Sequence, residues 1–254
     1  MPTTAEFRAA IAANAPLAGT FMKSPSVDVL EVLMLAGLDF VCLDCEHAPF
    51  DRATVNACMA VARAADFPIL VRVPVGSPEQ IARALDMGAT ALVVPHVTDA
   101  ETAARIAKAA RFGHGGRGYA GSTRWAGYGT RTMPEVLEAS AETMVFAQIE
   151  DPEGVEAADA IAATDGINGL FLGPADLSVA YGKSDQSSAE LMAAIDQTGA
   201  AARAHGKAYM TFVPNAARAA EWRPKGFGAF FIASEHAWML EGARAAIKGI
   251  RALD

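Results

Sequence analysis

Several residues that could do acid–base or metal chemistry stand at the ends of short apolar runs, where buried strands would deliver them to one rim. Glu150 closes Ala147-Gln148-Ile149-Glu150, and Asp176 lies in Phe171-Leu172-Gly173-Pro174-Ala175-Asp176-Leu177-Ser178. Two carboxylates, completed to an octahedron by water and substrate oxygens, suit Mg²⁺ or Mn²⁺. Gln148 and Glu150 share strand parity and so face the same way. Asp176 taken alone could instead cap the helix that follows it. Arg72 ends Ile69-Leu70-Val71-Arg72, and a guanidinium in so apolar a run requires an anion. That anion is either Asp44 or Glu46 in a structural ion pair, or the carboxylate or enolate of a substrate. His47, in Leu43-Asp44-Cys45-Glu46-His47, has acidic neighbours and is the natural general base. His96, after Pro95, is its rival, whereas His114, His205 and His236 read as loop or helix-surface residues. Cys42 and Cys45 are three apart on an extended strand, which puts their sulfurs on opposite faces and argues against zinc. All three cysteines read as core. Gly113-His114-Gly115-Gly116 is too short and misplaced for a phosphate loop. Lys207 begins a strand instead of ending one, a poor place for a Schiff-base lysine.

These residues need strands whose ends converge. Continuously apolar runs occur at Leu17–Phe21, Phe40–Asp44, Ile69–Val73, Ala91–Pro95, Met144–Ile149, Gly169–Leu172, Lys207–Phe212 and Phe227–Ile232. Lack of alternation is the mark of parallel strands covered on both faces. Ala-rich helical stretches lie between them: Pro25–Ala36, Asp51–Ala64, Pro78–Asp86, Ala100–Arg111, Ala189–His205 and His236–Arg251. Gly37, Gly88 and Gly206 fall where helices should end. The pattern predicts a single (β/α)8 TIM-type barrel over 1–254, with a doubly wound sheet as the competing α/β fold. A long segment from Arg111 to Gly129 holds Arg117, Tyr119, Arg124, Trp125 and Tyr128. We expect it to fold back over the barrel mouth or to reach a neighbouring subunit.

The chain has 254 residues, enough for one such barrel of about 250 residues. Its net charge of −8 is spread without a basic block, which argues against nucleic-acid and anionic-membrane partners. No apolar run reaches the roughly 18 residues of a membrane span. Three cysteines and an N-terminus without a basic-then-apolar pattern lead us to expect the cytoplasm.

Asp44-x-Glu46-His47-Ala48-Pro49, Val71-Arg72-Val73-Pro74, Leu85-Asp86-x-Gly88, Gln148-Ile149-Glu150 and Gly173-Pro174-Ala175-Asp176-Leu177-Ser178, in that order, resemble the HpcH/HpaI family of class II pyruvate aldolases. The resemblance spans nearly the whole chain. It implies reversible aldol cleavage of a 4-hydroxy-2-oxo acid to pyruvate or hydroxypyruvate and an aldehyde. The reaction would run through an enolate at a divalent ion (Mg²⁺, Mn²⁺ or Co²⁺) held by Glu150 and Asp176. It further implies that Arg72 stabilises the enolate and that Gln148, Gly173, Pro174 and Ala175 contact the 2-oxo acid. His47 would be the base, with Asp86 as partner. Asp86 falls at a helix end on the far side of a barrel from the rim, so either that helix boundary lies elsewhere or Asp86 reaches a neighbouring subunit's site. A homo-oligomer, hexamer or trimer, with exchanged C-terminal helices is implied as well. The sequence departs from the family at Arg111–Gly118 and at Ala233-Ser234-Glu235-His236-Ala237. Asp44, Arg124, Trp125 and Ser234 are candidates for the acceptor pocket. Two other readings are a CoA-ester lyase of the same superfamily and a non-catalytic oligomer that binds a 2-oxo acid.

Overall fold

The computed structural model describes residues 1–253. Eight parallel strands close into a barrel in sequential order: β1 (Leu17–Met22), β2 (Phe40–Asp44), β3 (Ile69–Arg72), β4 (Ala91–Val94), β5 (Met144–Ile149), β6 (Gly169–Leu172), β7 (Ala208–Val213) and β8 (Ala229–Ser234). The (β/α)8 expectation holds, and the doubly wound sheet is set aside because β1 pairs with β8. Val41, Leu43, Ile69 and Val71 face outward into the layer between sheet and helices, while Cys42, Leu70, Ala91 and Val93 face inward. Both faces are therefore apolar, which explains the unbroken runs.

The barrel interior is aromatic. Phe21, Phe40 and Phe171 each pack against Phe231, with ring centroids 4.7–4.8 Å apart. The N-terminal helix Thr4–Ala12 closes the lower end by inserting Phe7, 5.5 Å from Phe40, together with Ile11. Gly19 makes this possible, because a Cβ there would lie 2.3 Å from the Phe40 ring. The helix ends follow the expected chemistry. Ser26, Asp51, Ser77, Asp99 and Ser188 accept from first-turn amides, and Gly37, Gly88 and Gly206 adopt positive φ.

The 111–129 segment does not cover the mouth of its own barrel, contrary to one expectation above. It joins the end of helix Ala100–Ala109 to helix Met133–Ser140 and then to the start of β5, and both junctions lie at the lower face. Its arginines hold it there. Arg117 is buried and pairs with Asp86, at the end of helix Pro78–Asp86, and Arg124 donates to the carbonyls of Met87 (2.8 Å) and Asn56 (3.1 Å). Arg117 also lies over Phe112 and Trp125.

The last helix, Glu235–Arg251, is poorly covered. Glu235 is its buried residue, whereas Met239, Leu240, Ile247 and Ile250 are exposed. Among the described residues, no helix is long and apolar enough to cross a membrane.

Substituting Gly19→Ala should force the Phe40 ring out of its packed position. We expect a loss of about 1–3 kcal/mol in urea unfolding, with the fold retained.

Candidate active site

The upper ends of the strands surround a cavity of about 390 Å³. Its walls carry His47 beyond β2, Arg72 from β3, Gln148 from β5, and Gly173, Pro174, Ala175 and Asp176 beyond β6. Phe212 comes from β7 with Pro214 just past it, Ser234 from β8, and Phe21 from β1 with Lys23 just past it. This is the face on which chemistry resides in such barrels.

Asp44 lies beneath the cavity with no solvent exposure. It accepts from Arg72 Nε (3.0 Å) and Nη2 (2.8 Å), from Lys23 Nζ (2.9 Å) and from the His47 amide (3.1 Å). Burial by itself would raise its pKa. The Arg72 bonds and charge, with help from His47 and Lys23, outweigh that and bring it down to about 2. The same pairing raises the pKa of Arg72 against the opposing effect of burial. Both readings of Arg72 are thus compatible. Asp44 takes Nε and Nη2, Glu46 lies 3.3 Å from Nε, and Nη1 makes no hydrogen bond among the described residues while Arg72 lines the cavity. Phe21 supports the guanidinium from below, 4.3 Å from ring centroid to Cζ.

Glu150 sits just past β5, buried, with its side chain bonded by Gln148 Nε2, as their shared parity anticipates. A Cβ built on Gly173 would lie 3.3 Å from Glu150 Oε2 and 3.6 Å from Asp176 Oδ2. Both carboxylates therefore turn toward one point. Burial raises the Glu150 pKa to about 7, and the Asp176 charge adds to the rise against hydrogen bonds from His96 and Gln148. Two acidic groups converging in a half-dry recess, with the Gln148 amide oxygen buried and unpartnered, form an oxygen donor set fit for a hard divalent cation. Asp176 is not merely a helix cap, because no side-chain cap is made at Pro174–Ala180.

His96 is placed differently from its reading as rival base. It adopts φ +53°, its amide donates to Glu150 Oε1 (2.9 Å), and its Nδ1 lies 2.9 Å from Asp151 Oδ2. The Asp151 bond raises its pKa against the opposing effect of burial, with the charges of Glu150, Asp151 and Glu46 adding to the rise. One ligand atom each from Glu46, His96 and Glu150 lie within 4.8 Å of one another, so His96 and Glu46 border the same cation recess.

Position bears on three sequence expectations. Asp86 does not meet His47 within one chain, because it lies at the lower face paired with Arg117. Arg124 and Trp125 line a separate cleft with Thr4, Arg8 and Gly88. Asp44 does not line the acceptor cavity but anchors what does. Ser234 does line it. The sequence reading missed Lys23, although the rule that found Arg72 applies to it, since Lys23 directly follows β1. It also missed Glu235, whose Oε1 accepts from the amides of Lys23 (2.7 Å) and Ser24 (2.5 Å). The cysteines are buried or half-buried, and burial pushes the Cys45 thiol up to about 12, as suits core residues.

Residues 17–239 match the sequence model of the HpcH/HpaI aldolase/citrate lyase family. The chain is 35% identical to a hydroxypyruvate/pyruvate aldolase of Paraburkholderia phytofirmans, covering 93% of this chain and 94% of that one. It is 38% identical to a 5-keto-4-deoxy-D-glucarate aldolase of Salmonella paratyphi C, covering 90% and 89%. Among solved structures, an HpcH/HpaI aldolase/citrate lyase family protein from Burkholderia cenocepacia superposes with a TM-score of 0.92 at 32% identity, over 98% of this chain and all of the other.

Replacing Asp44 by Ala leaves the Arg72 guanidinium buried without its partner. We expect destabilisation of about 3–5 kcal/mol at neutral pH. Because the folded carboxyl titrates below its unfolded value, this contribution is present above the ordinary carboxylate range. It is lost as pH falls toward about 2, so the gap between wild type and variant in urea unfolding narrows on acidification. Gly173→Ala pushes Glu150 aside and should weaken Mn²⁺ binding by about 10- to 100-fold in calorimetry.

Proposed function

The chain belongs to the HpcH/HpaI aldolase/citrate lyase family, and from that premise we propose that this cavity carries out reversible aldol cleavage of a 4-hydroxy-2-oxo acid to pyruvate or hydroxypyruvate and an aldehyde. The observation that carries the reading is the convergence of Glu150 and Asp176 on one side of a cavity whose other walls hold Arg72 and His47. A divalent ion (Mg²⁺, Mn²⁺ or Co²⁺) held by Glu150 and Asp176 supplies Lewis acidity toward the 2-oxo group.

The chain's own residues do the rest. The amides around Gly173 and Ala175, with Pro174 shaping the turn, receive the substrate carboxylate at the cavity wall. Gln148 orients the 2-oxo end through its free amide oxygen or its amide nitrogen. Arg72, fixed by Asp44, places a positive charge where the enolate oxygen develops, and losing such a donor costs around 3 kcal/mol in the barrier. His47 is 57% exposed at the rim, with its amide tied to Asp44, and its imidazole is free to exchange protons with substrate or an intervening water. In cleavage it takes the proton of the C4 hydroxyl as the C3–C4 bond breaks. In synthesis it takes a proton from C3. A positioned base is worth about 10²–10⁴ in rate.

The lower-face position of Asp86 and the uncovered last helix favour a homo-oligomer, a trimer or hexamer with exchanged C-terminal helices. In it, Asp86 of one copy serves His47 of another. The three free cysteines, buried or half-buried, fit a cytoplasmic setting.

Proton NMR of pyruvate in D₂O tests the donor half-reaction without an acceptor. Methyl exchange should require Mn²⁺ or Mg²⁺, stop with a chelator, and fall about 10²-fold or more in Arg72→Ala and His47→Ala. Exchange that persists in the chelator would refute the reading. Mixing the inactive variants His47→Ala and Asp86→Ala, after dissociation and reassembly, should restore part of the turnover. No recovery would show that Asp86 does not act between copies.

A further inference from the structure

The two oxygens of the Glu150 carboxylate face opposite ways. Oε2 accepts from the Gln148 amide and lies toward Gly173 and Asp176, on the β6 side. Oε1 accepts from the His96 amide (2.9 Å) and lies 3.4 Å from His96 Nδ1, on the β4 side. Because β5 stands between β4 and β6 in the ring, Glu150 separates two neighbouring recesses. Asp176 belongs to one of them, and His96 and Glu46 belong to the other.

The second recess offers a nitrogen donor. His96 is held at φ +53°, and its Nδ1 pairs with Asp151 Oδ2 at 2.9 Å. With a carboxylate as partner, Nδ1 carries the proton and Nε2 keeps its lone pair, the arrangement common among metal-bound histidines. Nε2 lies 4.0 Å from Glu46 Oε1. That is too far for a hydrogen bond, yet an ion about 2.1 Å from each atom spans it. One ligand atom each from Glu46, His96 and Glu150 lie within 4.8 Å of one another, and small side-chain shifts close them onto one ion. Glu46 meets Arg72 and His47 through Oε2, at 3.3 and 3.7 Å, which leaves Oε1 to face His96. Charge leads the same way. Glu46, Glu150, Asp151 and Asp176 all border these recesses, while Arg72 is committed to Asp44. A single divalent ion offsets only half of that negative charge.

We propose that Glu46, His96 and Glu150 form a second divalent-cation site beside the Glu150–Asp176 pair, with Glu150 bridging the two through its separate oxygens. One imidazole nitrogen and two carboxylate oxygens suit a borderline ion, Mn²⁺, Co²⁺ or Zn²⁺, better than Mg²⁺. An ion there fixes the Glu150 carboxylate from the β4 side and offsets the charge of Glu46.

The test counts metal on untagged, metal-stripped protein by equilibrium dialysis against Co²⁺ or Mg²⁺. Wild type should hold two Co²⁺ but one Mg²⁺ per chain. His96→Asn removes the imidazole while keeping a residue that tolerates positive φ, and should hold one Co²⁺. Asp151→Asn should weaken the second ion about 10- to 100-fold, as loss of a ligand's supporting hydrogen bond does. Asp176→Ala removes the first site, and its bound Mn²⁺ should show nitrogen coupling in pulsed EPR that vanishes when His96→Asn is added. One Co²⁺ per wild-type chain overturns the proposal, as do two that persist in His96→Asn, or an Asp176→Ala protein whose Mn²⁺ shows no nitrogen coupling. Should His96→Asn fail to fold, Glu46→Gln is read the same way. One ion per chain with metal-dependent exchange of the pyruvate methyl fails this proposal alone. Two ions per chain with no exchange fails the aldolase reading and leaves this site standing.

Discussion

The Asp44 carboxylate is fully buried at the top of β2, and both its oxygens are occupied by donors from three other places in the chain: Arg72 on β3, Lys23 after β1 and the amide of His47. An unpaired charge in that position would be strongly destabilising, and so would an unpaired Arg72. The pair is therefore stable only when β1, β2 and β3 lie in register, as they do with Asp44 opposite Arg72 and Met22 opposite Leu43. One electrostatic constraint thus ties the register of β1, β2 and β3 to the placement of Arg72, His47 and Lys23 at the mouth of the barrel.

The opposite side of the mouth obeys the reverse logic. Glu150 and Asp176 converge with no Lys or Arg paired to either among the described residues, and burial, aided by the Asp176 charge, raises the Glu150 pKa against the nearby His96. His96, strained into the left-handed region, braces Glu150 through its amide. A carboxylate pair under-neutralised by the protein is fit to receive a cation, whereas Asp44, over-supplied with donors, is a scaffold. The contrast in neutralisation assigns the two sides their roles, and Gly173 allows the receptor side to close by leaving no Cβ against Glu150.

Much of this was readable from residue order. Eight unbroken apolar runs gave the strand positions to within a few residues, because parallel strands covered on both faces leave no polar alternation. Boundaries slipped where local chemistry is ambiguous. β8 begins at Ala229, later than the apolar run starting at Phe227, because Phe227 stacks on Tyr209 and Trp222 in the outer layer. The short helices Pro152–Glu156, Ala158–Ala163 and Ala216–Trp222 leave no periodic signature in the sequence, since too few turns exist for a period to show.

The sequence by itself determined the barrel, the rim on which Glu150, Asp176, Arg72 and His47 appear, and the kind of chemistry those groups support. These follow from strand polarity and residue type, which are local. Tertiary structure alone decided which groups share a charge. It buried Asp44 as the anchor of Arg72, brought Lys23 and Glu235 to the same wall, and set Asp86, Arg124 and Trp125 on the far face. Those outcomes depend on how strands distant in the chain are ordered around a closed ring, and ring order is a global property that no short stretch of residues encodes.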